Sequence, residues 1–185
     1  MLCFVSLVMR AGMVSIIINQ EDEKMDTLQK EKLLRNIWIL HEARWFVKCL
    51  QEFGFDVATK LNLAVARSIG KTEIKQLLAE IGHGQVKNID DYHKLMQIAA
   101  DLYFPPGHKY EMDIIDKNTY RGRVIECYVY KNVSKAGTVA IHQCASKNRF
   151  DGWIEGFGMS GTTTCNNNTN TCNGQCEILF HLEWK

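Results

Sequence analysis

The sequence predicts an α+β fold: a helical first half of about four helices, packed on a C-terminal antiparallel unit ordered β-β-α-β-β. Three observations predict it. Apolar residues recur at helical spacing across residues 28–104. Beyond Pro105-Pro106-Gly107 the spacing changes to alternation, the period of strands. One short stretch at helical spacing then interrupts the alternation, at 146–158. The chain of 185 residues is long enough for one domain, which divides into an N-terminal extension at 1–27, a helical region at 28–104 and a cysteine-containing α+β region at 108–185.

Taken in order, the extension "MLCFVSLVMRAGMVSIII" is apolar but broken by Arg10. It fits neither a spanning helix nor an export signal, and Met13 or Met25 is an alternative start. The first helix is expected over "KEKLLRNIWILHEARWFVKCLQEFGF". There Leu34, Trp38, His41 and Trp45 share one face, with the tryptophans as core anchors and Gly54 as the stop. A second helix carries Val57, Leu61, Ala64, Val65 and Ile69 on one stripe and ends at Gly70. Thr72 is placed to cap a third. A fourth covers 88–104, with Ile89, Leu95, Ile98, Ala99 and Leu102 as its apolar positions.

In the second half, "KYEMDIIDKNTYRGRVIECYVYKN" reads as two strands about a turn at Asp116–Asn118, with Ile125, Cys127 and Val129 on one face of the second. Phe150, Trp153, Ile154 and Phe157 fall at i, i+3, i+4 and i+7, marking a short amphipathic helix despite Gly152 and Gly156. A closing hairpin follows, whose last strand alternates Cys176, Ile178, Phe180, Leu182 and Trp184 against more polar neighbours.

A formal net charge of +1 supplies no concentrated basic surface, so nucleic acid is not an expected partner, and no membrane partner is indicated. Seven cysteines without a convincing export signal point to a reducing, cytoplasmic setting, where clustered cysteines serve as metal ligands, reactive thiols or small buried hydrophobes. The closing strands and the short helix are expected to bring Cys127, Cys144, Cys165 and Cys176 to one end of the sheet, with Cys172 and His142 as alternates. Soft thiolates gathered there suit zinc or an iron–sulfur cluster. The spacings, six residues between Cys165 and Cys172 and three between Cys172 and Cys176, are not those of a zinc ribbon. Cys144, just before the short helix and close to Lys147 and Arg149, is the candidate nucleophile. His41 and Trp45 are candidates to line a pocket.

On these residues the chain resembles a bacterial and archaeal family without an assigned activity. The matching pattern is an H-x-x-x-W-F helix, here His41, Trp45 and Phe46, then a turn at Glu52 and Gly54 one residue tighter than the family's Glu-x-x-Gly. It continues in Cys127, Cys144, Cys165 and Cys176-x-Ile178-x-Phe180. The tail "NGQCEILFHLEW" is similar to the closing strand of the L-2-amino-thiazoline-4-carboxylic acid hydrolase-like family and of the 4-vinyl reductase small-molecule-binding domain. The resemblance spans 28–185. It departs in the last loop, asparagine-rich here where the first family carries a Cys-Pro-Pro-Asp step, which sets Cys172 apart from the other cysteines. It implies a cysteine-lined site. The expected function is therefore a small-molecule- or metal-binding protein. Hydrolysis of a cyclic amidine or amide through Cys144 or a bound metal is one alternative. A structural role with buried cysteines and a homo-oligomer interface is the other.

Overall fold

The computed structural model describes residues 25–166 and 172–184; residues 1–24 of the extension, with the alternative start at Met13, lie outside them. Helix α1 runs Thr27–Glu80 and opens on a reciprocal cap, in which Asp26 accepts from the Gln29 amide while the Gln29 side chain accepts from the Asp26 amide. Its non-helical point is Gly54, at φ 80° and ψ 171°, where two helical segments meet at a kink, so the first helix breaks at the expected stop. The helix passes straight through Gly70. Thr72 is no cap either: its hydroxyl donates back to the Ser68 carbonyl inside the helix. Helix α2, Ile89–Tyr103, is capped by the Asn88 side chain on the Asp91 amide and stops before Pro105.

The sheet has four antiparallel strands in the order β1-β2-β4-β3, formed by Lys109–Ile114, Thr119–Glu126, Ser160–Cys165 and Cys176–Glu183 in chain order. Asp116 makes the first turn by accepting from the amides of Asn118 and Thr119. Between β2 and β3 lie helix α3, Tyr128–Lys135, a short 3-10 turn at Val139–Ile141, and helix α4, Ser146–Gly156. The second strand is thus shorter than the alternation suggested. It ends at Glu126, Cys127 becomes the N-cap of α3, and Val129 lies on that helix.

Helix α4 is the centre of the core. All four of its predicted apolar positions are buried, and Trp153 is completely so. They pack on Ile178, Phe180 and Leu182 of β4, on Tyr120 of β2, and on Ile74 and Leu77 of α1. On α2 the buried positions are Tyr92, Leu95, Met96, Ala99 and Ala100, whereas Ile98 and Leu102 are exposed. The backbones of α1 and α4 touch at three glycines. A side chain at Gly70 would strike the Arg149 carbonyl, one at Gly152 the Arg67 carbonyl, and one at Gly156 the Ile74 side chain. Gly70, expected as a stop, and Gly152 and Gly156, read as weak points, form the notch that lets the two helices meet.

Two buried polar networks lock this layer. Glu73 of α1 pairs with the Arg149 guanidinium and accepts from the Trp153 indole at 2.8 Å. Asp151 of α4 accepts from the amide of Thr163 at 3.0 Å, its hydroxyl at 2.7 Å, and the Lys147 ammonium at 2.8 Å, tying α4 to β3. Burial alone would raise the Asp151 carboxyl, but these donors outweigh it and hold the group below its ordinary value.

Candidate functional site

Register places the cysteines. Val124 stands opposite Cys176, and Cys165 opposite Ile178. Opposed residues share a face, and so do residues two apart along a strand. Cys165 and Cys176 therefore lie diagonally on the same face as Ile178, the core face, at the end of the sheet where β3 stops and β4 starts. Their side chains are hydrogen-bonded to each other.

Cys127 joins them from β2. Its amide donates to the Gly174 carbonyl at 2.9 Å, which seats the segment preceding β4 beside the end of β2. Its Sγ accepts from the Tyr130 amide at 3.4 Å as the N-cap of α3. Gly174, buried at φ 89°, lies under the Tyr130 ring, where a β-carbon would come within 2.8 Å of the ring. Asparagines pin the loop ends: Asn166 accepts from the Glu177 amide at 2.7 Å, and Asn173 from the Gln175 amide at 3.0 Å. Cys144 arrives from the other side, two residues before α4, and its Sγ donates to Ser146 Oγ at 3.4 Å.

The sulfurs sense one another. The hydrogen bond that the Cys176 thiol donates to Cys165, then burial, then the proximity of Cys165, Cys144 and Cys127 push the Cys176 thiol far above its usual range. Burial also pushes Cys127 up, against the lowering by the Tyr130 and Val129 amides, with Cys144 and Cys172 adding to the rise. Cys165 is exposed, and Cys127, Cys144, Cys172 and Cys176 are half-buried. Sulfurs from β3, β4, the start of α3 and the approach to α4 thus share one neighbourhood. Among the described residues, no three His, Cys, Asp or Glu side chains stand in a ready ligand array. His142 follows the 3-10 turn, and burial holds its imidazole below its ordinary pKa.

The donor set fits a thiophilic ion in chemistry. Four thiols are the set that structural zinc takes, and a divalent cation supplies the charge that would let raised, proton-sharing thiols ionise. In position, the Cys165–Cys176 pair is in contact, and no three-ligand array stands ready among the described residues.

His41 and Trp45 stand elsewhere. Both are exposed on the outer face of α1, with Trp45 at 65%. A groove of about 440 Å³ has other walls: Leu28 and Arg35 of α1, and Phe104, Pro106, His108 and Tyr110 across from them. Arg35 closes its floor by donating to the carbonyls of Phe104 at 3.0 Å and Asp101 at 3.2 Å. Sequence reasoning missed Glu73 and Asp151, because a buried carboxylate and an exposed one look alike in a helix.

No family model matches the chain, and no curated protein does. Among solved structures, it is similar to subunit 3 of a trafficking protein particle complex from Naegleria fowleri, a structure described as covalently bound to palmitic acid. The TM-score is 0.54 at 12% identity, covering 83% of this chain and 95% of that chain. The likeness is one of fold. Among the described residues, no helix is long and apolar enough to cross a membrane.

Proposed function

We propose that this chain is a binding module whose ligand site is the cysteine-lined end of the sheet, and whose ligand is a thiophilic metal ion, with zinc the best fit. Cys144, Cys165 and Cys176 are the core donors and Cys127 the fourth; Cys172 and His142 are the alternates. The observation that carries this reading is the direct Cys165–Cys176 contact across the closing hairpin, with Cys144 and Cys127 close enough to raise the Cys176 thiol further. Two thiols that share a hydrogen bond at a sheet end are half of a tetrahedral site, and metal binding would release their protons.

The test is metal analysis of untagged protein purified without chelators, followed by cobalt substitution. The expected result is about one zinc per chain and a thiolate-to-cobalt absorption band, both lost in Cys176→Ser and in Cys165→Ser. Protein that holds no metal, and gives no cobalt–thiolate band when cobalt is added, overturns the reading. A second reading has one observation in its favour: a protein of this fold carries a fatty acid covalently. In that case the cysteine end would hold an organic ligand, and the intact mass of the purified chain would exceed that of its sequence.

A further inference from the structure

Two thiols held in contact have a chemistry that metal binding does not exhaust. Cys165 is the last residue of β3 and Cys176 the first of β4. Cys165 stands opposite Ile178, two places along from Cys176, and the Cys176 thiol donates to it. One more rung fixes the strands just beyond Cys165: the Asn166 amide donates to the Glu177 carbonyl at 3.1 Å, and the Glu177 amide to Asn166 Oδ1 at 2.7 Å. The neighbouring sulfurs have taken other partners. Cys144 donates to Ser146, and Cys127 accepts from the Tyr130 amide. Diagonal residues on paired strands stand roughly 7–8 Å apart, and a disulfide spans up to about 7 Å between α-carbons. Joining Cys165 to Cys176 therefore asks the backbone to close by about an ångström, at strand ends, where the ladder is least restraining.

We infer that Cys165 and Cys176 are a redox pair, which a hydroperoxide converts into an intrachain disulfide and a thiol reductant restores. Exposure divides the roles. Cys165 is exposed and meets the oxidant, while Cys176 is half-buried beside it and serves as the resolving thiol. In the first step the Cys165 sulfur attacks the terminal peroxide oxygen. The O–O bond breaks, the sulfur is oxidised to a sulfenic acid, and the peroxide leaves as an alcohol, or as water from hydrogen peroxide. In the second step the Cys176 sulfur attacks the Cys165 sulfur. The S–S bond forms, the S–O bond breaks, and the hydroxyl leaves with the Cys176 proton as water. Two thiols and one hydroperoxide thus give one disulfide, one alcohol and one water. The consequence for the ligand site rests on the metal-binding reading above. A disulfide sulfur is no thiolate donor, so oxidation removes two of the four proposed donors and the ion is released.

The test takes the full chain, reduced and stripped of metal by a chelator, and adds one equivalent of hydrogen peroxide. The intact mass is expected to fall by about 2 Da, the two thiol hydrogens, and the free-thiol count by two. Peptide mapping without reductant is expected to join Cys165 to Cys176, and dithiothreitol to reverse all three changes. Cys165→Ser and Cys176→Ser are expected to abolish the link, and Cys144→Ser to keep it, with circular dichroism unchanged throughout. A wild type that keeps both thiols, gains oxygen at Cys165 without closing the link, or joins either residue to a different cysteine overturns the inference. The map on the wild type decides this whether or not the variants fold. In a second arm, zinc-loaded chain is oxidised in the presence of a chromophoric zinc indicator. About one zinc per chain is expected to leave as the link forms and to rebind after reduction; zinc retained on linked chain overturns the release. The two readings fail separately. A chain that forms the link but binds neither zinc nor cobalt ends the metal reading and leaves the redox pair standing. A chain that binds zinc, and whose metal-free form makes no link, ends the redox pair alone.

Discussion

The two halves of α1 carry similar apolar patterns and meet opposite fates. After the bend, Ala58, Gly70, Glu73, Ile74 and Leu77 are buried, and the backbone lies directly against α4. Before the bend no residue is fully buried, and two tryptophans face solvent. The difference lies in the small residues. Gly70 on α1 and Gly152 and Gly156 on α4 let two helix backbones approach to contact, so the far half is held by its main chain as well as its side chains. Residues 27–53 contain no glycine, and their packing on the rest of the molecule is correspondingly looser. An amphipathic stripe records that something covers a helix; the notch residues record where this chain covers itself.

The comparison breaks most readily at the notch. Gly152→Ala places a methyl group against the Arg67 carbonyl and the Lys71 amide, backbone atoms that cannot swing aside. Helices α1 and α4 must separate. The expected cost is about 3 kcal/mol or more, on the order of 10 °C in Tm for a chain of this size. Gly84→Ala, where a β-carbon meets open space, is the control and should leave Tm within about 1–2 °C. Equal melting curves for the two variants would refute the notch.

The next effect is electrostatic and confined to the same half. Glu73 is the buried acceptor for both Arg149 and Trp153. In Glu73→Ala the guanidinium loses its counter-charge and the indole N–H its acceptor, with an expected loss of about 3 kcal/mol in chemical denaturation. Glu73→Gln keeps an acceptor for the indole and should lose distinctly less. If both variants unfold at the wild-type denaturant concentration, the network contributes nothing and packing alone holds the far half of α1.

What the sequence disclosed follows from how local each signal is. The α4 quartet of Phe150, Trp153, Ile154 and Phe157, the Asp116 turn and the inward set Ile178, Phe180 and Leu182 are all encoded within a few residues, and the structure has them as read. Other features depend on partners far along the chain. Cys127 looked like a strand residue because Ile125 and Val129 flank it at period two, but the chain turns there to start α3. Gly70 looked like a stop because its reason for being glycine sits on α4. The stripe of Leu34, Trp38 and Trp45 is the stronger of two apolar faces in the sequence, whereas the half-buried one in the fold, with Ile39 and Phe46, lies around the helix from it. Periodicity finds faces; it does not rank which of two is inward when both are apolar.

The smallest expected effect is therefore the most telling for the comparison. Trp45→Ser removes a large aromatic side chain from a helix, a change that in a core costs about 3–5 kcal/mol. Here the ring is 65% exposed, and little is lost within the single chain. In denaturant titrations the expected change is within about 0.5 kcal/mol. A large loss for Trp45→Ser would mean that this tryptophan is already covered by its own chain. The two halves of α1 would then differ in degree and not in kind.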